Sequence, residues 1–301
     1  MSQRKWVPVA SSQEKAWRVA ARMLRGRVKR VADLLPVAAQ GPSDNLESVH
    51  QLRIWSRRAE AALKLCQPLL RRRNLRNLAK QLKSLRRAAG PARDTDVLQQ
   101  RAAGLKAGLA RDHLHKLLAE RWQAAQPALA EANEQLEEGE KLRRRLRRLL
   151  RRLRRSHGGV DGKQSIRRWA RRRLRSLIKK FERSGRQDLN ELDQLHKFRI
   201  AGKRLKYALE LVGMAFGKRL RKRLYARLDR LQTALGAIND MRNFGVVLDE
   251  VWRKATSRPL KTQLNRLRLA EQRRLRAALE TWLAAWTTPR LRRLAKQLQR
   301  A

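Results

Sequence analysis

The spacing of apolar residues along the chain is helical almost throughout. In residues 141–155 the leucines fall at positions 142, 146, 149, 150 and 153, and basic residues occupy nearly every other position. The intervals i, i+4, i+7, i+8 and i+11 place these leucines on one helix face. β-branched runs are short, and no Asn-Gly or Asp-Gly turn separates alternating segments. The pattern therefore predicts an all-α fold.

Capping residues, prolines and glycines indicate where the predicted helices begin and end. Ser11-x-x-Glu14 and Asp44-x-x-Glu47 have the form of capping boxes, which mark helix starts. Gly90 and Gly236 are expected to end helices with a positive φ, because glycine adopts that conformation at the least cost. Helix breaks are predicted near Pro36, Gly41-Pro42, Pro68, Gly90-Pro91, Gly158-Gly159, Gly213 to Gly217, Gly236 and Pro259.

A small polar segment near the middle of the chain separates two strongly helical regions. Because it contains three glycines and few apolar residues, it is typical of a linker. The sequence predicts an N-terminal tail over 1–10, a first helical half over 11–155, a linker over 156–163 and a second helical half over 164–301.

The two halves align on one another with a constant shift of 146 residues. The segment His50–Arg58 falls on His196–Arg204, and Leu85–Asp94 falls on Leu231–Asp240. A histidine, an arginine, a glycine and an aspartate recur in register, so we interpret the halves as an internal repeat. The same shift carries Arg22, Arg25, Lys29 and Asp44 onto Arg168, Arg171, Arg175 and Asn190. A helix cap is therefore expected at both Asp44 and Asn190.

The charge balance narrows the class of partner. The chain of 301 residues has 75 Lys and Arg against 26 Asp and Glu, a formal net charge of +49. A folded body with this charge repels itself, and a dense anion that binds it relieves the repulsion and releases counterions. The hydrophobic fraction of 42% indicates a globular core rather than a disordered basic tail. A polyanionic partner is expected, and the basic segments 71–73, 143–155 and 218–223 extend the surface that it would meet.

The repeated basic residues form a stripe in each half. At 3.6 residues per turn, positions 50, 53 and 57 lie within roughly 60° of one another, as do positions 196, 199 and 203. Arginine offers phosphate two parallel donors, lysine a point charge, and histidine a donor that becomes charged near neutral pH. Each stripe therefore suits a phosphate chain, while the alternative interpretation is a solvated helix face.

The acidic and sulfur-containing residues favour structural roles. Asp94 and Asp240 follow predicted helix breaks, where an aspartate caps backbone amides or orients an arginine. Paired carboxylates that would hold Mg²⁺ around phosphates are lacking, so we expect no catalytic residue and no cofactor. The histidine spacing supplies no set of metal ligands, and Cys66 lies alone in an apolar run. We expect no metal site.

The N-terminus lacks an apolar signal region, and no stretch approaches 18 uncharged apolar residues. From this we expect a soluble cytoplasmic protein with no membrane partner.

The paired motifs resemble the CHAD family, the conserved histidine α-helical domain, with its His-x-x-Arg-x-x-x-Arg/Lys-Arg helix in each half. The resemblance implies two four-helix bundles related by internal pseudo-twofold symmetry, around a basic central channel. It also implies that the channel binds inorganic polyphosphate, and that the protein can associate with polyphosphate granules. The binding residues implied are His50, Arg53, Arg57, Arg58, His196, Arg199, Lys203, Arg204 and Lys206, together with Arg22, Arg25, Arg168 and Arg171.

One position departs from the family pattern, and two other functions compete with polyphosphate binding. Glu60 stands where the second half has Lys206, and it is expected to orient Arg57 or Lys64 along its own helix. A nucleic-acid-binding protein is the alternative that the charge permits, but such proteins usually add exposed aromatic platforms. Several tryptophans lie at helical spacing among apolar residues and are expected in the core, such as Trp17, Trp55, Trp169 and Trp282. An enzyme acting on phosphoanhydrides is the third possibility.

Overall fold

The computed structural model describes residues 5–40 and 46–300. Within these ranges the chain forms eleven α-helices and no β-strand, which confirms the all-α prediction. The first half contains α1 (Ala16–Ala39), α2 (Leu46–Leu65), α3 (Arg72–Ala103), α4 (Leu109–Gln135) and α5 (Glu140–Ser156). The second part contains α6 (Gly159–Lys163), α7 (Ile166–Ser184), α8 (Leu192–Val212), α9 (Tyr225–Lys254), α10 (Arg258–Ala285) and α11 (Thr288–Arg300). Short 3₁₀ turns lie at Gln67–Leu69, Glu137–Gly139 and Gly213–Ala215, and a π-helical turn at Leu220–Leu224 leads into α9.

The same packing order occurs twice. In the first half α1 packs on α2, α2 on α3, α3 on α5 and α5 on α1, so α2 and α5 lie at opposite corners of a four-helix arrangement. In the second half α7 packs on α8 and α8 on α9, while α11 packs on α7 and on the π-helical turn before α9. α8 and α11 are therefore also at opposite corners. Across the molecule α1 packs on α7, α2 on α8, α3 on α9 and α4 on α10.

The apolar faces of these helices form one large core that continues through both halves. It includes Leu24 of α1, Leu52 of α2 and Trp169 of α7, all of which are fully buried. Phe198 of α8 stacks on the ring of Phe181 with 4.9 Å between centroids. A second apolar cluster lies where the tips of the α3–α4 and α9–α10 hairpins meet. Burial of apolar surface therefore stabilises each half and also the contact between the halves.

Several predicted helix breaks are wrong. α1 continues through Pro36, α3 through Gly90-Pro91 and α9 through Gly236. Neither Gly90 nor Gly236 has a positive φ, so neither ends a helix. The buried residues of α3 on both sides of Gly90-Pro91 hold the helix together, because tertiary packing outweighs local propensity. Breaks are confirmed at Pro68, Gly158-Gly159, Gly213 to Gly217 and Pro259, whereas Gly41-Pro42 and Asp44 lie outside the described residues.

The predicted caps are also corrected. α1 begins at Ala16, and the Glu14 carboxylate accepts the Ala10 backbone N–H at 3.0 Å instead of completing a capping box. The N-cap of α8 is Glu191, without a side-chain capping bond, while the Asn190 amide donates to Asp188. Glu14 and Asn190 make contacts in the preceding loops instead, because both helices begin one or more residues later than the pattern indicates.

The N-terminal segment 5–7 packs on the second half of the chain. The Lys5 ammonium lies 4.1 Å from the centroid of the Tyr225 ring, and the Trp6 ring meets the same tyrosine edge-on at 4.8 Å. The Val7 N–H donates to the Glu210 carbonyl at 3.3 Å. A side chain at Gly213 would meet the Trp6 ring at 2.4 Å, so the absence of a Cβ there makes room for the segment.

Candidate anion-binding site

The stripe of α2 is oriented by α3. Arg53 donates from Nη1 to the Gly90 carbonyl at 2.6 Å and to Asp94 Oδ1 at 2.9 Å. Asp94 lies within α3, so it orients an arginine and does not cap a helix. The Arg53 side chain is only 12% exposed. Burial lowers the pKa of its guanidinium, and the Asp94 charge opposes that shift.

The stripe of α8 meets the stripe of α2. Burial, followed by repulsion from Arg199 and Arg57, lowers the pKa of the Lys203 ammonium to about 7. Burial also lowers the pKa of Arg199, with Asp240 opposing the shift and Arg57 adding to it. Since Arg57 belongs to α2 and the other two cations belong to α8, the three lie together where these helices pack. We call Arg57, Arg199 and Lys203 the central basic cluster.

The central basic cluster has unused donor capacity. The Nε atom of Arg199 is buried and has no hydrogen-bond partner among the described residues. Among the described residues Arg57 and Lys203 form no ion pair, whereas their neighbours Arg53 and Lys206 pair with Asp94 and Asp229. A buried donor without a partner costs free energy, so an anion that accepts these bonds would be stabilised.

The two histidines differ in their environments. His50 is half-buried, and burial, with repulsion from Arg93, lowers the pKa of its imidazole. His196 is exposed on α8. Although the repeat puts both histidines at the same position of their helices, only His50 lies in a desolvated basic environment.

Arg58 belongs to a buried network that joins the halves. Its Nε donates to Glu210 Oε2 at 2.8 Å, and the Tyr225 hydroxyl donates to Glu210 Oε1 at 2.7 Å. The guanidinium groups of Arg58 and Arg27 each lie 4.9 Å from the Trp55 ring centroid. The structure thus places Arg58 in a structural contact between α2, α8 and α9.

Sequence reasoning missed the other members of that network. Arg27 and Glu210 are 3% and 1% exposed, and they lie on different halves of the chain. One signal was available, because Glu210 interrupts the apolar run 208–212 and a charge in such a run is rarely buried without a partner. The identity of the partners could not be read from the sequence, since no local spacing links them.

Two further candidates are engaged by acids. Arg22 donates to both carboxylate oxygens of Glu14, at 2.7 and 2.5 Å, and to the Pro8 carbonyl at 3.1 Å. Lys206 forms an ion pair with Asp229, which also lies 3.6 Å from the Lys5 ammonium. These two cations are therefore partly neutralised by the protein itself.

The remaining candidates are exposed, and Glu60 has a different partner from the one expected. Exposed cations without an ion pair among the described residues are Arg25, Arg168, Arg171 and Arg204. Glu60 accepts a hydrogen bond from Arg86 Nε at 2.9 Å, so its predicted contacts with Arg57 and Lys64 are wrong. The reason is that α3 packs against α2 and brings Arg86 to that face.

No group of three or more His, Cys, Asp or Glu side chains among the described residues could hold a metal ion. None of the described helices has the length and apolar character needed to cross a membrane.

Fold and site together define a helical protein in which half-buried cations of the two halves lie near one another where α2 packs on α8. The family model for the CHAD domain matches residues 36–243, which is more than half of the chain. The chain belongs to the CHAD domain family, which is linked to polyphosphate binding and whose structures are generally non-catalytic binding domains.

Two solved structures have a similar fold. The CHAD domain from the plant Ricinus communis superposes with a TM-score of 0.71 and 21% identity, covering 97% of this chain and 96% of that one. PptA from Streptomyces chartreusis superposes with a TM-score of 0.64 and 15% identity, covering 91% of this chain and 99% of that one. At these identities the likeness concerns the fold alone. No curated protein sequence matches the chain.

Proposed function

We propose that the protein binds inorganic polyphosphate, without transforming it, in a basic channel centred on Arg57, Arg199 and Lys203, and that this binding directs it to polyphosphate granules. The observation that carries the proposal is the meeting of these three cations from two helices, largely out of water and with few acids nearby. His50 and Arg53 extend the cluster along α2.

Electrostatics supports a phosphate chain as the ligand. Like charges held together in a partly desolvated place raise the free energy of the folded protein, and an anion that binds them removes that cost. Arg57 and Arg199 can each offer a phosphate two parallel donors. A long chain gains further free energy by releasing counterions as it meets each added cation.

The aromatic residues give no support to nucleic-acid binding. All eight tryptophans, both tyrosines and all four phenylalanines fall within the described residues, and each is buried or half-buried. Trp55, Trp169 and Trp282 lie in the core, as the sequence predicted, and Trp17 is half-buried. Proteins that bind single strands without sequence preference stack bases on exposed aromatic rings. A phosphate polymer without bases fits the surface better.

The acids near the cluster support binding rather than chemistry. Asp94 is committed to Arg53, and Asp240 acts on Arg199 and Lys203 as a single nearby charge. Phosphoryl-transfer sites usually hold Mg²⁺ with carboxylates placed around the phosphates. Here Asp94 orients Arg53, and Asp240 balances part of the charge of Arg199 and Lys203.

The test is a salt-resolved competition between polyphosphates of several lengths and single- or double-stranded nucleic acid. The variant Arg57→Gln/Arg199→Gln/Lys203→Gln is compared with Arg258→Gln/Arg266→Gln/Arg276→Gln, which removes the same charge from exposed positions of α10. Since a bond to a charged group contributes about 1.5–3 kcal/mol, the central variant should bind polyphosphate at least about tenfold more weakly. The α10 control should change affinity by less than about threefold.

Two results would overturn the proposal. Equal losses in the central variant and the α10 control would mean that only net charge matters. Equal affinity for nucleic acid and long polyphosphate at matched phosphate concentration would remove the ligand preference. Granule association is tested separately, by co-sedimentation of each variant with isolated polyphosphate granules, where the central variant should leave a larger unbound fraction in the supernatant than the α10 control.

A further inference from the structure

The outer face of α5 is a dense stripe of arginines. The buried leucines of this helix face the core, and Arg147, Arg148, Arg151 and Arg155 are exposed on the opposite side. At 100° per residue these four cations lie within an arc of about 100°, roughly opposite the leucines. None of the four has an ion-pair partner among the described residues, and residues 141–160 contain no Asp or Glu.

α11 repeats this stripe in the second half. A shift of 145 residues carries Leu146, Leu149, Leu150 and Leu153 onto Leu291, Leu294, Ala295 and Leu298, all of which are buried. The same shift carries Arg147, Arg148, Arg151 and Arg155 onto Arg292, Arg293, Lys296 and Arg300, all of which are exposed. α11 contains no acid. The core-facing and outward-facing residues therefore recur together, as the residues of the central basic cluster do.

A merely solvated helix face does not account for these stripes. Like charges at i, i+4 destabilise a helix by a few tenths of a kcal/mol per pair, and solvent-facing helices normally mix both signs. Each stripe has two such pairs, which in α5 are Arg147 with Arg151 and Arg151 with Arg155, and no acid lies between them. An anion lying along the helix removes this repulsion.

The stripes face away from the central basic cluster. α2 and α5 occupy opposite corners of the first half, as α8 and α11 do in the second. At its C-terminal end α5 borders an open groove of about 720 Å³, whose charged lining is Arg71, Arg73, Arg152 and Arg155. Arg152 is held there by the Asn74 side chain at 2.6 Å. The groove gives the first stripe a concave end that an extended chain can enter.

We propose that the outer faces of α5 and α11 form a second binding surface for inorganic polyphosphate, separate from the central basic cluster. One protein molecule would then hold one chain centrally and a further length, or a second chain, on its outside. An anionic membrane is a poorer occupant, because the apolar faces of both helices are buried and none is left to insert. The proposal goes beyond the central site and does not need that site to bind.

The experiment measures how much long polyphosphate the full chain binds. The variant Arg147→Gln/Arg148→Gln/Arg151→Gln/Arg155→Gln is compared with Arg258→Gln/Arg266→Gln/Arg273→Gln/Arg276→Gln, which removes four exposed charges from α10. Equilibrium dialysis gives the phosphate bound per protein at saturation, and circular dichroism verifies that both variants fold. The α5 variant should bind measurably less phosphate than the control. If the polymer behaves like a single-stranded polyanion, the slope of log K against log salt should also become shallower by about 0.7 for each lost contact.

The outcomes separate the two sites. The α5 variant should keep wild-type affinity for a chain of only a few phosphates, whereas the central variant should lose it. Saturation and salt slope that match the α10 control would overturn the outer surface. So would an α5 variant that loses binding to DNA or to phosphatidylserine vesicles but not to polyphosphate. Failure of the central variant to weaken short-chain binding would instead count against the central site alone.

Discussion

The buried network around Glu210 leads to the sharpest prediction about stability. Glu210 accepts bonds from Arg58 and Tyr225, and its charge also raises the pKa of nearby Arg27 against the effect of burial. Replacing Glu210 with Gln keeps the shape of the side chain but removes the negative charge that faces Arg58 and Arg27. Arg27 and Arg58 then remain near each other without the Glu210 carboxylate, and their positive charges repel each other.

The magnitude follows from the burial of the partners. Glu210 is 1% exposed and Arg58 is 16% exposed, so water can replace little of the lost interaction. Removing one partner of a buried ion pair costs about 3–5 kcal/mol. For a domain larger than 150 residues, each kcal/mol lowers Tm by about 2–4 °C, so Glu210→Gln should lower Tm by roughly 10 °C. Arg58→Met should cost less, because the remaining Glu210 retains Tyr225 and the charge of Arg27.

Thermal and chemical denaturation of the two single variants and the double variant measure this coupling. The double variant should be more stable than the sum of the two single losses predicts. Each single variant leaves its partner's charge unpaired, and the double variant lacks both of those charges. Polyphosphate affinity measured well below Tm should be unchanged in Arg58→Met, since Arg58 is committed to Glu210. A Glu210→Gln variant that melts within about 1 °C of wild type would refute the reasoning. A large loss of polyphosphate affinity in Arg58→Met would mean that Arg58 contributes to binding.

Two other predictions follow from the pKa of Lys203 and from the glycines. Because burial and neighbouring cations lower the folded-state pKa of Lys203 to about 7, with Asp240 opposing, the unfolded chain binds more protons between pH 7 and the ordinary lysine pKa, so this residue's contribution to stability rises with pH there. Polyphosphate binding should take up a proton above pH 7 and weaken by at most about tenfold per pH unit, and calorimetric titration from pH 6 to 9 should show a flatter profile for Lys203→Gln. Gly236→Ala should stabilise α9 by about 0.5–1 kcal/mol, because a Cβ there meets no atom of the surrounding structure within 4 Å. Gly139→Ala should destabilise by more than that, because Gly139 has φ +94° and its Cβ would lie 2.5 Å from the Ala32 carbonyl oxygen, and thermal melts of both variants check the two opposite signs.

The helices could be predicted from the sequence because most of them bury one periodic face. The leucines of α5 show this directly, since all five predicted positions are buried. Helix ends were harder to predict, because the local preferences of Gly90 and Pro91 are outweighed by the buried residues around them. Local signals describe what a segment tolerates, whereas the packing of its neighbours decides what it adopts.

The residues of the candidate site could be predicted only where the internal repeat pointed to them. Arg57, Arg199 and Lys203 became candidates because their positions recur at one shift, and the structure places them near one another where α2 packs on α8. The repeat could not tell that Arg58 is paired with Glu210, because that contact joins unlike positions of the two halves across 152 residues. Symmetry in a sequence predicts which residues correspond, and leaves open which residues touch.

The packing of residues 5–7 on the second half has a consequence for the order of events during synthesis. Their partners, Glu210 and Tyr225, are made about 200 residues later, which at 5–20 residues per second is roughly 10–40 s. Until Glu210 is made, its carboxylate is not available to balance the positive charges of Arg27 and Arg58. Residues 5–7 therefore leave the ribosome well before the residues on which they pack.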